Sequence, residues 1–298
     1  MLDLDSARKH RPANQLWVYF EWEAQSQPHT AVRPEIDGEF NLTMTHRFDS
    51  DIWAPYGSYR KLATPKLDHR NSLSDVFKRK TAEAIWLVSH WNTFSQREQL
   101  AQRLARNGIK ISIFGQNCPT SISWATCLNS NNSDLPDKCR KVDFHSPKQC
   151  NQEIGNRYKF YFAFENTLCN DYVTEKLYNF LQLGTIIPVV YNAANMSRYA
   201  PPNSFINVAD FENAEQLAEH LHRVGNDEKL YTSYLKWFPQ YEIEEKYYER
   251  TYTKHFCTLC EGISKGTWTN GQQQHTYQSV NNWFQNKQQC YKANNQFI

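Results

Sequence analysis

YKFYFAFENTLCNDYVTEKLYNFLQLGTIIPVV, residues 158–190, decides the fold. Tyr158 to Phe164 is an aromatic, strand-like run. The polar turn Glu165-Asn166-Thr167 follows and continues through Asn170-Asp171. Val173, Leu177, Phe180 and Leu181 then recur at helical spacing. Gly184 ends that helix, because glycine enters the left-handed region at little cost. Thr185 to Val190, with Pro188 inside it, reads as a short buried strand. The whole is a β-loop-α-β unit, the building block of a parallel sheet with helices on its faces. Ligands of such sheets lie beyond the carboxyl ends of the strands. The loop at that end carries Glu165, Asn166, Tyr172, Glu175 and Lys176, more polar chemistry than a connector needs.

Lys176 stands in the first turn of the helix, where the dipole already presents partial positive charge. Either Glu175 neutralises it, or it turns to water, or an anion such as a nucleotide diphosphate binds there. A second unit repeats the arrangement. Ala84 to Ser89 reads as a buried strand, and Ser95-x-x-Glu98 fits a capping box that starts a helix. Leu100 and Leu104 give that helix an apolar stripe, and Gly108 stops it. Arg97 is then another cation in a first turn. It either pairs with Glu98 or Gln102 on the surface or joins Lys176 in clamping one diphosphate through bidentate bonds.

Upstream, Leu16 to Glu23 is strand-like, with Trp17, Tyr19, Glu21 and Glu23 on one face. Glu23, ending the strand among aromatics, is the candidate general base, and Glu21 is second choice. Phe40 to Arg47 reads as a strand. Asp49-Ser50-Asp51 behind it resembles a metal–nucleotide triplet, an alternative centre. Arg60 to Lys80 is basic and joins two domains, Lys110 to Phe114 is a strand, and 116–155 is a long insert to be stapled or mobile. Phe205 to Val208 reads as a strand, Glu212 to Val224 as a helix, and Leu230 to Phe256 as largely helical with a break at Pro239. The tail beyond Gly262 offers Trp268, Trp283 and Phe284 as anchors.

The 298 residues suffice for two cores. With 33 basic and 31 acidic residues the net charge is +2, so no strong field draws the chain to nucleic acid or an anionic membrane. The eight cysteines, 118, 127, 139, 150, 169, 257, 260 and 290, read as disulfides of an oxidising compartment. The alternative is a zinc site on Cys257 and Cys260 with His255 and Cys290. Sequons at Asn41, Asn131 and Asn195 agree with a secretory lumen.

FAFEN, DYVTEKL and IIPVV, in this order, resemble the donor-binding motif of the α1,3-fucosyltransferases. FNLTMTHRFDSDIWAPYG, from Phe40 to Gly57, is similar to that family's amino-terminal signature, and the likeness runs from about Leu16 to Phe211. The resemblance implies an α/β fold of two Rossmann-like domains facing a cleft, the GT-B type of glycosyltransferase. We divide it as residues 1–80 for the acceptor, 81–250 for the donor, and 251–298 as a tail packing back. It implies an inverting transfer of L-fucose from GDP-fucose to a GlcNAc hydroxyl on a glycoprotein or glycolipid glycan. Glu23 would be the base, and Arg97, Asn166, Tyr172, Glu175 and Lys176 would bind the donor. No cofactor is required, a divalent cation being at most stimulatory. Members work in the Golgi lumen on an amino-terminal membrane anchor; we expect that anchor to be absent from this chain and the early acceptor domain to be truncated. Two other readings stand beside it: a metal-dependent transferase using Asp49 and Asp51, and a non-catalytic glycan-binding protein.

Overall fold

The structure is a computed structural model and describes residues 4–24, 34–70, 72–115, 118–119, 121–128, 139, 148–245, 252–268, 276–287, 290–294 and 296–297. It divides into two compact units, Met1–Ala54 with Tyr252–Gln289, and Pro55–Thr251 with Cys290–Ile298.

The first unit holds a parallel sheet of β1 (Val18–Glu21), β2 (Leu42–Thr45) and β3 (Ile52–Trp53), in that order. β2 is buried along its length, as its place between two neighbours requires. Among the described helices this unit contains α1 (Leu4–Lys9), and the tail contributes two more, 252–264 and 280–287. Trp283 and Phe284 pack with Tyr19, Ile36, Phe40 and Tyr277. Arg47, buried, donates to the carbonyls of Trp283 and Phe284 at 3.1 and 3.2 Å, and its guanidinium lies 4.5 Å from the Trp283 ring. Two of the three expected anchors therefore hold the tail on this unit, and an arginine of the Phe40–Gly57 block receives them.

His46, next to that arginine, is only 1% exposed, and burial with the neighbouring Arg47 charge pushes its pKa from 6.5 to about 3. Between those values the unfolded chain takes up a proton that the folded unit refuses, so stability falls as pH drops through this window. At about 1.4 kcal/mol per pH unit, the urea midpoint should report a loss of about 2 kcal/mol from pH 7 to pH 5. That slope should flatten in His46→Asn; an equal slope in the variant would remove His46 as its source.

The second unit contains β4 (Gly57–Lys61), β5 (Ala82–Leu87), β6 (Ile111–Phe114), β7 (Thr126–Leu128), β8 (Tyr158–Phe164), β9 (Leu168–Cys169), β10 (Ile187–Tyr191), β11 (Ile206–Asn207), β12 (Tyr241–Glu245) and β13 (Cys290–Tyr291). Six of them form a sheet in the order β11-β10-β8-β5-β6-β7, every pairing parallel. Its helices are α2 (Leu73–Lys78), α3 (Arg97–Arg106), α4 (Lys148–Arg157), α5 (Glu175–Leu181), α6 (Ala214–Asn226) and α7 (Glu228–Ser233). One core joins Trp86, Phe160, Phe162, Phe164 and Val189 of the sheet to Leu100 and Leu104 of α3 and Leu217 and Leu221 of α6. Pro188 is tolerated because β11 pairs only with Val189 and Val190, so the proline has a partner strand on one side alone.

Residues 55–80, which the sequence reading assigned to the first domain, lie in the second unit. β4 pairs with β12, and Arg70 donates to the carbonyls of Gly184 and Leu235. Gly57 belongs here as well: a Cβ on it would stand 2.4 Å from the Tyr178 ring, so no other residue fits without displacing that buried tyrosine. The helix expected across 230–256 is broken by β12, whose partner strand is some 180 positions earlier. Tyr241 and Ile243 alternate with Glu242 and Glu244, and Arg60 pairs with Glu242.

Six cysteines pair, as Cys118–Cys127, Cys139–Cys150 and Cys169–Cys290. Cys257 and Cys260 do not: the helix that carries them exposes both, which corrects the expectation of a disulfide there. The zinc alternative loses Cys290 to Cys169 and finds His255 buried. Of the sequons, Asn41 is 3% exposed and accepts from Arg11 and the Trp17 N–H, Asn195 is exposed, and Asn131 lies outside the described residues.

Candidate functional site

Strand order fixes where a ligand can sit. From β5 the chain proceeds outward through β6 and β7; from β8 it proceeds the other way through β10 and β11. The crevice between the carboxyl ends of β5 and β8 is therefore the topological switch point of the sheet, the habitual ligand site of open parallel sheets. The loop after β5 leads to Arg97, and the loop after β8 runs from Glu165 to Thr174.

These two loops are bonded to each other. The Ser95 hydroxyl donates to the Glu165 carbonyl at 2.6 Å, and the Ser95 N–H to the Asn166 carbonyl at 3.1 Å. This use of Ser95 replaces the expected capping box. The N-cap of α3 is Gln96, in the left-handed region at φ 51°, with no side-chain cap, and Glu98 accepts from Thr93 instead. A tertiary partner has outcompeted the local one.

Arg97 opens α3, 2% exposed, with its guanidinium under the crevice. One terminal nitrogen donates to the Phe164 carbonyl at 2.7 Å, the other to the His90 carbonyl at 2.8 Å. It thus bridges the ends of β8 and β5, and Nε has no hydrogen-bond partner among the described residues. The surface pairing with Glu98 or Gln102 is not adopted.

Lys176 is 21% exposed. Its ammonium donates to Glu165 Oε2 at 3.0 Å and Thr174 Oγ1 at 2.9 Å, and lies 3.6 Å from Glu175 Oε1. Burial alone would lower the Lys176 pKa, but the carboxylates of Glu165 and Glu175 outweigh it and raise it. The neutraliser nearest the ammonium is therefore Glu165, not the adjacent Glu175. The two basic side chains contact consecutive residues of one strand end, Phe164 and Glu165.

The other expected donor ligands divide. Glu175 begins α5, with its side chain 20% exposed. Asn166 follows Glu165 in the same loop, and its Oδ1 is buried without a hydrogen-bond partner among the described residues. Tyr172 is fully buried and meets the Tyr56 ring edge-on at 6.2 Å. Glu165, which the sequence reading left among general loop polarity, is the residue that organises the group.

Glu23 belongs to the first unit, two residues past the end of β1. The Glu21 carboxylate turns back to accept the N–H groups of Trp22 and Glu23 at 2.8 and 2.9 Å. Asp49 accepts both forks of Arg47, at 2.8 and 2.7 Å, while Asp51 accepts from the Thr43 N–H, the Thr43 hydroxyl and the Tyr277 hydroxyl. The triplet is thus engaged in the structure of its own unit. No group of three or more His, Cys, Asp or Glu that could hold a metal occurs among the described residues. No described helix is long and apolar enough to cross a membrane.

The family model "Glycosyltransferase family 10 (fucosyltransferase) C-term" matches residues 77–283, and "Fucosyltransferase, N-terminal" matches residues 2–57. Alpha-(1,3)-fucosyltransferase C of Drosophila melanogaster is 33% identical over 93% of this chain and 61% of its own length. Alpha-(1,3)-fucosyltransferase fut-5 of Caenorhabditis elegans is 32% identical over 82% of this chain and 59% of its own. The chain therefore spans about 60% of the length of these curated relatives. In fold it is similar to a crystal structure of an α1,3-fucosyltransferase with GDP-fucose, at TM-score 0.53 and 16% identity over 89% of this chain and 78% of that one. A second crystal structure, of an α1,3-fucosyltransferase with GDP, gives TM-score 0.51 and 15% identity over 89% and 82%. The α/β architecture with its parallel sheet is the GT-B type expected from the sequence. On the match of both family models, the chain belongs to glycosyltransferase family 10, the fucosyltransferases.

Proposed function

We propose that this chain transfers L-fucose from GDP-fucose to a GlcNAc hydroxyl of a glycan, in α1,3 linkage and with inversion. The observation that carries the reading is the convergence of Arg97 and Lys176 on the carboxyl end of β8, at the switch point of the sheet. Lys176 meets the donor diphosphate, and Arg97 adds positive charge from beneath. Asn166 and Glu175 bind the donor's ribose or fucose, and Tyr172 supports the loop that carries them. Glu23 takes the proton of the acceptor hydroxyl. That oxygen bonds to the anomeric carbon from the face opposite the nucleotide. The bond from that carbon to the diphosphate breaks, and its electron pair leaves with GDP, whose growing charge the two cations stabilise. No metal takes part, consistent with the commitments of Asp49 and Asp51. The three disulfides support an oxidising lumen, that of the Golgi, as the place of work.

The test is incubation of the chain with GDP-fucose and defined glycans, a core N-glycan and a lactosamine-type outer arm among them, read by mass spectrometry with and without EDTA. We expect one fucose added and GDP released, with most of the rate surviving EDTA. Complete loss on chelation would favour the metal-dependent reading. Glycan binding without GDP release would favour a non-catalytic binding protein.

A further inference from the structure

Glu165 has no part in the steps above, yet its carboxylate is buried and bonded on several sides. It is 2% exposed and follows directly on β8. Its N–H donates to the Tyr191 carbonyl at the end of β10 at 3.1 Å, and its own carbonyl accepts the Ser95 hydroxyl. Three strand ends or their loops therefore fix its backbone. Its carboxylate accepts the Thr174 N–H at 2.8 Å, the Thr174 hydroxyl at 2.9 Å, and the Lys176 ammonium at 3.0 Å. The ammonium donates in turn to Thr174 Oγ1, which closes a ring of three side chains.

We propose that Glu165 is a positioning residue for Lys176, a buried carboxylate that keeps the ammonium fixed and ready for a diphosphate. The inference deepens the donor-site reading and rests on it. A lysine has a long, freely rotating stem, and ordering it at the moment of binding costs affinity. Here Glu165 and Thr174 order it beforehand. An ammonium has three donors; among the described residues two are used, which leaves one for a ligand on the exposed side of the residue. Glu175, at 3.6 Å and partly exposed, does not hold the ammonium in the same way.

The experiment is a double-mutant cycle with GDP as the probe, by isothermal titration calorimetry on wild type, Glu165→Gln, Lys176→Met and the double variant. We expect Glu165→Gln to weaken GDP binding about tenfold. In the Lys176→Met background the same change should cost less than about twofold, because its target is gone. An equal loss in both backgrounds would mean that Glu165 merely supports the fold, and unaltered affinity in Glu165→Gln would mean that it positions nothing; either overturns the proposal. If Lys176→Met alone leaves GDP binding intact, the donor-site reading itself has failed, and the single variant shows it. Should Glu165→Gln not fold, Glu165→Asp, which keeps the charge but draws it back from the ammonium, enters the same cycle with the same criteria.

Discussion

Glu23→Gln is expected to lower fucose transfer by about 10²- to 10⁴-fold, the usual worth of a positioned general base, with GDP affinity unchanged. The amide is nearly isosteric with the carboxylate but cannot accept the hydroxyl proton. GDP carries neither that hydroxyl nor the anomeric carbon, so its binding has no reason to respond. The control lies two residues earlier. The Glu21 carboxylate accepts the N–H groups of Trp22 and Glu23, and so builds the turn on which Glu23 stands. Glu21→Gln keeps one acceptor oxygen for those bonds and should cost stability more than rate. Initial rates at saturating GDP-fucose, alongside calorimetric GDP binding, separate the two variants. If Glu23→Gln keeps more than about a tenth of the rate while a folded Glu21→Gln loses transfer, the base is Glu21.

Much of the second unit was legible because its signals are local. An aromatic run before a polar turn marked β8, the buried run Ala84 to Ser89 marked β5, and the apolar spacing of Leu100 and Leu104 marked the face of α3 that meets the core. Gly184, at φ 61°, ends its helix as its chemistry demands. The oddity of two cations in first turns drew attention to Arg97 and Lys176, and the structure brings both to the end of one strand. Its explanation was incomplete, since the anion beside Lys176 is Glu165, eleven residues earlier in the chain. Nothing in the spacing shows that the loop folds back to bring the two within 3.0 Å.

The same physical reason underlies the other departures. Ser95 and Glu98 form a sound local capping pattern, but the Ser95 hydroxyl is turned to the Glu165 carbonyl of the neighbouring loop, and Gln96 stands at the N-cap instead. YEIEE alternates as a strand should, yet strand pairing needs a partner, and β4 is far away in sequence. Arg47 read as part of a signature, while its role as anchor for Trp283 and Phe284 depends on a tail more than 230 residues distant. Local propensity is written in the sequence window; the competition among distant partners for one donor or acceptor is not.

The largest effect on stability is expected from the disulfide that closes the longest loop of the three. Cys169 lies in the loop after β8, in β9, and is bonded to Cys290, 121 positions later. Around it β13 pairs with β9, and Phe297 is buried in the core of the same unit. On the chain-entropy account a loop of that length removes about 5 kcal/mol from the unfolded state. The Cys118–Cys127 bridge, nine positions apart, removes about half as much. Cys290→Ser should therefore cost about 3–5 kcal/mol, against about 2–3 kcal/mol for Cys127→Ser. The denaturant transition of each purified variant measures this. The two should also differ in function. Cys290→Ser releases the strand that flanks residues 168–169, on the path from Glu165 to Thr174, so GDP binding should weaken. Cys127→Ser touches the insert at the far edge of the sheet and should leave GDP binding alone. If both variants lose the same stability and neither loses GDP affinity, the bridge at Cys169 is a fastening for the tail alone, and the loop after β8 owes its order to the Ser95, Thr174 and Tyr191 bonds.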